Sequence, residues 1–503
     1  MPTTGAYDVI VVGAGSAGCA VAAGLARAGV GRIAVVEAGP TDAHPFVKMP
    51  FGLIWLMGSR RDWRLKSAPQ QALGGRQITI PRGRMLGGSG SINSMVWFRG
   101  QPADFDAWNV PGWGWADVEP AFAEVEAAMT PTPLDTPHPL SRALGRLFGA
   151  NAAGKPDPAR QSAGVCDFNL RDGRRWSPAD AFLRPVQDRG VTVLTGHQVR
   201  RLDLTGRAAN AVEFTDGTRI TAAKGVVLSA GAIGSPEILL RSGVGPAADL
   251  AAADVPLVLD APQVGANLHD HPGVGLHFAG AESGYGLTWK QAANWALAPL
   301  NYLVRRKGVF ASPTVEAAAF FNARDEDTAP DIQSHFIPFF MNWKGGRLTY
   351  GSGYFADVCL CRPKSRGALR ITPQGTAIDL GLFNDPSDLD TMVVGLKRLR
   401  QIIASAPFGD RAAPEAYPAG AAQTDADIRQ FILDRCGTAY HPVGTLRMGQ
   451  GDAPVAPDLA VKGIRNLWVA DASVMPSITS ANTNAPSIMI GHRAGQIIAK
   501  AVA

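Results

Sequence analysis

Two short stretches far apart in the chain carry residue types that do chemistry. Near the C-terminus, Tyr440-His441-Pro442-Val443-Gly444-Thr445 offers an imidazole. That side chain takes and releases protons near neutral pH. Asp471-Ala472-Ser473 and Ser480-Ala481-Asn482-Thr483-Asn484-Ala485-Pro486 follow with carboxylate, hydroxyl and amide groups. Near the N-terminus, Gly13-Ala14-Gly15-Ser16-Ala17-Gly18 has the glycine spacing that lets backbone approach a pyrophosphate. A proton acceptor beside a dinucleotide is the pairing that oxidation of an alcohol needs. A proton must leave oxygen and a hydride must leave carbon.

The surrounding residues predict the elements that hold these groups. Val9 to Val12 is a continuous apolar run, as in a strand buried on both faces. Ala17 to Arg27 is rich in Ala and Leu and reads as a helix whose N–H groups meet the phosphates. Ile33-Ala34-Val35-Val36 is the second strand. Glu37 ends it 19 residues after Gly18, near the ~20 expected of an acid that binds ribose hydroxyls. Gly13, Gly15, Ser16, Ala17, Glu37 and Ala38 are therefore expected at the cofactor.

Later segments favour FAD over NAD. Gly83-Arg84-Met85-Leu86-Gly87-Gly88-Ser89-Gly90-Ser91-Ile92-Asn93-Ser94 is dense in Gly and Ser and can wrap a large cofactor with backbone donors. Arg84, Gly88, Ser89, Asn93 and Met95 are assigned to it. Val226 to Gly231 and Leu467 to Asp471 read as further strands ending in small or acidic residues. Asp471 at a strand end can bind a polyol, which NAD lacks. Ala230, Ala472, Asn482 and Thr483 are also expected at the cofactor.

With these motifs in order, the chain resembles the glucose–methanol–choline (GMC) oxidoreductases, in the choline dehydrogenase and alcohol dehydrogenase-like branch. Gly83 to Asp106 is similar to the family's first signature. Gly231-Ala232-Ile233-Gly234-Ser235-Pro236-Glu237 through Gly245 is similar to its second. The resemblance implies an α/β fold with a discontinuous FAD-binding Rossmann-like domain (1–160, 190–275 and 462–503). A second, α+β substrate domain on an antiparallel sheet (276–461) is implied, with 161–189 packing between them. It implies His441 as general base and Asn482 as its partner, since the family pairs His with His or Asn there. Val199 is implied at the adenine. Ile92 stands where some members attach FAD through histidine, so non-covalent FAD is expected.

His269-Asp270-His271 places two histidines on one strand face, but with no third ligand it is read as a structural turn and no metal is expected. Asn484 is read as the N-cap of a helix from Ser487 to Ala501, aimed at the flavin carbonyl. Trp289, Trp295, Phe336, Phe339, Phe340 and Trp343 lie in the expected lid and suit an aromatic or aliphatic alcohol. The expected electron acceptor is oxygen or a quinone-like molecule. Two other chemistries known on this fold stand beside alcohol oxidation: a hydroxynitrile lyase reaction and photodecarboxylation of fatty acids.

Composition sets the remaining bounds. The 503 residues exceed one typical core, so two or three domains are expected. A net charge of +5 with no basic block longer than Arg305-Arg306-Lys307 argues against a nucleic-acid partner. The five scattered cysteines, Cys19, Cys166, Cys359, Cys361 and Cys436, argue against a disulfide framework and for a reducing compartment. Met1-Pro2-Thr3-Thr4-Gly5 is not a leader, and Phe51 to Met57 is far shorter than the ~20 residues of a membrane span. A cytoplasmic protein with no integral membrane segment is expected.

Overall fold

The apolar runs pair first with one another. β1 (Ala6–Val12) turns through Gly13 into α1 (Ser16–Arg27), and β2 (Ile33–Glu37) follows. β3 (Ser162–Val165) belongs to a different sheet. β4 (Val191–Thr195), β5 (Val199–Thr205), β6 (Ala208–Phe214) and β7 (Arg219–Leu228) return to the first, and α2 (Gly231–Arg241) leaves it. The chain then crosses to β8 (Pro272–Ala279), α3 (Ala292–Arg305), β9 (Ala317–Phe321), β10 (Ile332–Ile337), β11 (Gly353–Leu360), α4 (Pro386–Ser405), β12 (Glu415–Tyr417) and β13 (Gly437–Thr438). β14 (Leu467–Val469) and α5 (Asn484–Ala501) bring it back. This computed structural model describes residues 6–147, 153–280, 283–286, 288–324, 328–344 and 347–503.

The first sheet has the order β4-β2-β1-β7-β6-β5, with β14 beside the end of β7. β4, β2, β1, β7 and β14 run parallel, and β5 and β6 form an antiparallel extension. Val9, Ile10, Val11, Ile33, Ala34 and Val35 are wholly buried, as a sheet covered on both faces requires. The C-terminal ends of β1, β2, β7 and β14 carry Gly13, Glu37, Ala230 and Asp471 to one edge. Ligands of doubly wound sheets bind at such an edge.

The second sheet has the order β12-β8-β11-β10-β9-β3 and is antiparallel along that path. β13 pairs with the start of β8, and Ala153–Gly154 lies parallel to β3. Ser162–Val165, in the segment expected between the domains, is thus a strand of the antiparallel sheet. β13 runs directly into Tyr440-His441, so the sheet edge sets the position of the imidazole.

The last helix starts earlier than expected. α5 begins at Asn484, with Thr483 in the cap position and no side-chain cap. Asn484 is therefore in the first turn and is not the N-cap. Its Oδ1 instead accepts from Ser16 Oγ at 2.7 Å, which ties the start of α5 to the start of α1. The two helices then pack closely through glycine. A Cβ at Gly24 would lie 2.8 Å from Gly495 Cα, and one at Gly491 would lie 2.3 Å from Ala17 O.

Candidate active site

One large cavity, about 1360 Å³, runs between the two sheets. Gly13, Gly15, Ser16, Ala17, Glu37 and Ala38 line it, as do Gly88, Ser89, Asn93, Met95, Val199, Ala230, Asp471, Ala472, Asn482, Thr483 and His441. Arg84 is the exception among the expected residues. Its guanidinium lies over the Trp63 ring, 5.0 Å from the centroid, and does not line the cavity. Stacking on an aromatic face holds the cation away, and its charge acts on Glu37 from there.

The dinucleotide end is built from backbone. Gly13 has φ +101°, and a Cβ there would meet Ser229 O at 2.4 Å. Gly15 and Gly88 approach so closely that a Cβ on Gly88 would lie 2.7 Å from Gly15 Cα. The first turn of α1 opens on the cavity with no side-chain cap, leaving its N–H groups for an anion. Glu37 accepts from Gly39 N at 2.9 Å and Ala14 N at 3.2 Å. Burial nevertheless pushes its carboxyl up to about 7, against those bonds and the Arg84 charge. Asp471 accepts from Gly231 N (2.9 Å), Ser235 Oγ (2.5 Å) and Ser473 N (2.8 Å), so the chain's own donors take much of its capacity. Asn484 Nδ2 is buried, lacks a partner and belongs to a cavity-lining residue. A glycine cradle, open helix N-termini, an acid at a strand end and an orphaned amide fit a dinucleotide cofactor.

The proton-handling end is a chain of hydrogen bonds. His441 Nε2 lies 3.0 Å from Asn482 Nδ2, and His441 Nδ1 lies 3.0 Å from His271 Nδ1. His271 Nε2 faces two carbonyl oxygens, Cys361 O at 3.0 Å and Thr479 O at 3.1 Å. Carbonyls only accept, so the proton of neutral His271 sits on Nε2. Its Nδ1 must then accept, and His441 donates Nδ1–H to it. The lone pair of His441 is left on Nε2, beside Asn482. Burial drives His441 well below its ordinary pKa, helped by the positive charge of neighbouring groups, so the imidazole is neutral. Burial likewise pushes His271 down to about 3.

The backbone at His441 is held firmly. Tyr440 has φ +69°, a conformation rare for a bulky residue. Thr438 Oγ1 accepts from Tyr440 N at 2.7 Å, and Arg82 donates to Tyr440 O. Asp270 accepts from His441 N at 2.8 Å and from the Thr438 hydroxyl. Burial raises Asp270 to about 6.

Asn482 is oriented from its other side. Gln333 Nε2 donates to Asn482 Oδ1 at 3.0 Å, which points Nδ2 at His441. His335 Nε2 lies 3.4 Å from Oδ1 and 3.3 Å from Nδ2. His335 Nδ1 bonds Asp357 at 3.0 Å, and that carboxylate raises the His335 pKa against its burial.

His269-Asp270-His271 is thus more than a structural turn. His269 is held by Asn267 O (2.6 Å) and Ile478 N (2.9 Å), which is structural. Asp270 and His271 contact His441. The alternation of residues that put two histidines on one face missed this, because His271 meets a residue 170 positions away. His335 and Asp357 had no sequence signal beyond lying on apolar strands.

The lid supplies part of what was expected. Trp295 and Phe339 line the cavity, joined by Phe51, Trp55 and Phe310. Phe336 packs in the core against Tyr354 and Phe408. Phe340 packs edge-on against His277 and does not line the cavity. Trp289 is 96% exposed. The Trp343 side chain lies outside the described residues.

A nucleotide-type cavity joined to a buried neutral imidazole is an arrangement that suits a dinucleotide-dependent oxidoreductase. Comparison with known proteins narrows the class. The family model described as GMC oxidoreductase matches residues 7–273 in its N-terminal part and 363–491 in its C-terminal part. The chain is 35% identical to alcohol dehydrogenase [acceptor] of Pseudomonas putida, over 99% of this chain and 96% of that one. It is 33% identical to oxygen-dependent choline dehydrogenase of Rhizobium rhizogenes, over 98% and 95%. Among solved structures it is similar to pyridoxine 4-oxidase from Mesorbium loti, with TM-score 0.84, 29% identity and 97% and 98% coverage. The formate oxidase of Aspergillus oryzae shares the fold, with TM-score 0.88 at 24% identity over 99% and 98% of the chains. The chain belongs to the GMC oxidoreductase family.

Proposed function

We propose that this protein oxidises a primary alcohol to the aldehyde with non-covalently bound FAD. The observation that carries the reading is the His271–His441–Asn482 chain, which presents an unprotonated Nε2 to the cavity that also holds the glycine cradle and Glu37. When bound, FAD supplies the hydride acceptor. His441 Nε2 takes the hydroxyl proton. Asn482 Nδ2 donates to the substrate oxygen and fixes its direction. The remaining partners of His441 and Asn482 keep both groups still, so orientation is established before substrate arrives.

The aromatic wall of Phe51, Trp55, Trp295, Phe310 and Phe339 supports an aromatic or aliphatic substrate. Ile92 lines the cavity from the glycine-rich loop and has no nucleophile, which supports non-covalent FAD. Oxygen or a quinone-like molecule accepts the electrons in this reading. Five buried free cysteines suit a reducing compartment such as the cytoplasm.

Anaerobic mixing with a panel of primary alcohols tests the reading. Substrates should bleach the yellow absorbance of the holoenzyme. His441→Ala should lower turnover by about 10²–10⁴-fold while the colour remains. Benzaldehyde release from mandelonitrile without bleaching would replace the alcohol-oxidation reading with the lyase. An active His441→Ala variant would remove the base.

A further inference from the structure

The segment 288–307 is apolar on two faces. Trp295, Ala298 and Tyr302 of α3 turn inward at helical spacing, with Trp295 on the cavity wall. Leu297, Leu300, Leu303 and Val304 turn outward and are between 53% and 72% exposed. Trp289, just before the helix, is 96% exposed. A helix apolar on both faces in a water-soluble protein is ordinarily covered on both.

Charge decides what covers the outer face. Residues 288–307 contain Lys290, Arg305, Arg306 and Lys307 and no carboxylate. Arg306 packs over Tyr302 and against Gly173, which brings the exposed turn of Arg171, Asp172 and Arg174 alongside. Asp172 is the one acid of that turn, set against Arg171 and Arg174. A second copy meeting this patch through a two-fold contact would place it against itself. The cations of each segment would then find no carboxylate in the other. An anionic lipid surface offers apolar depth for the leucines, an interface for the exposed tryptophan and phosphates for the cations.

We infer that α3 and the adjoining basic turn form a docking surface for an anionic bilayer, with the helix lying in the plane of the interface. Among the described residues, no helix is long and apolar enough to cross a membrane, so this contact is peripheral. Docking sets the aromatic wall of the cavity one helix thickness from lipid, since Trp295 lies on the inner face of the same helix.

Flotation of the holoenzyme with vesicles tests this without any substrate, so its outcome is independent of the proposed reaction. Vesicles of phosphatidylcholine with phosphatidylglycerol should capture the protein about tenfold better than phosphatidylcholine alone, and added salt should weaken capture. Leu300→Glu with Leu303→Glu should abolish binding, and Arg305→Gln with Lys307→Gln should remove the preference for anionic lipid. All four positions are exposed, and circular dichroism should show unaltered folds. Equal recovery with and without vesicles would overturn the inference. So would a dimer in solution that the leucine substitutions dissociate, since a second copy would then cover the face.

Discussion

Neutral His441 has one proton for two ring nitrogens, and His271 decides which nitrogen carries it. The two carbonyls at His271 Nε2 leave its Nδ1 as an acceptor, and this places the His441 lone pair toward the cavity. His271 therefore acts as a positioning residue. His271→Phe should lower kcat, but by less than the about 10²–10⁴-fold of losing a general base outright, because the imidazole is still present and samples both tautomers. His271→Asn should recover part of the loss, since an amide oxygen can accept the same proton. A role in packing alone would reverse that order. The acid limb of kcat/KM reports the same arrangement. Burial depresses the His441 pKa, so the imidazole stays unprotonated through neutrality, and if it is the base the rate should fall only well on the acid side of the ordinary histidine range. Glu37 makes a second prediction at this scale. Burial pushes its carboxyl up to about 7. Ribose hydroxyls donate to the charged form and so lower that pKa on binding, with release of a proton. FAD affinity should therefore be level above pH 7 and weaken about tenfold per unit below it. Fluorescence titration of FAD across pH checks this, and Glu37→Gln should flatten the profile.

The contact of α1 with α5 carries both open helix N-termini to the cavity. Gly24 and Gly495 permit it, since a Cβ at Gly24 would come within 2.8 Å of Gly495 Cα. Gly24→Val should force the helices apart at a cost of about 1–3 kcal/mol, read by urea denaturation, and should weaken FAD binding as well. Gly420→Ala is the control, because a Cβ there meets nothing within 4 Å. Elements of this kind were legible in the chain before folding. The run Val9 to Val12, the glycines after it and Glu37 are local signals, each set by chain neighbours, and they sit where their spacing placed them. What escaped reading depends on crossings between elements. His271, just before β8, comes to His441, and His335 of β10 comes to Asn482, and no periodicity announces such meetings. The start of α5 shifted for the same reason, because Asn484 is committed to Ser16 of α1. Phe51 and Trp55, noticed in sequence only as a short apolar run, became part of the cavity wall because two short helices fold them against Trp295 and Phe310.

At the scale of the molecule, the cavity is lined from both sheets. Its lining comes from β1, β2, β5, β8, β10 and β11, from the loop of Arg82 to Val96, and from the segments around His441 and Asn482. A ligand filling it touches both sheets, so binding and folding are coupled. A ligand bound only by the native state stabilises it by about 2.7 kcal/mol when free ligand is a hundredfold above Kd. For a chain of 503 residues, the unfolding entropy is large, and that energy should raise Tm by about 2–3 °C. Each further tenfold excess of FAD should add about half as much again. Differential scanning calorimetry of protein stripped of cofactor, titrated with FAD, measures the series. Adenosine diphosphate should stabilise less, because it occupies the glycine cradle and leaves the His441 end unfilled. A Tm indifferent to FAD would mean that the two sheets hold their arrangement without a ligand between them. A response to adenosine diphosphate equal to that of FAD would confine the coupling to the first sheet.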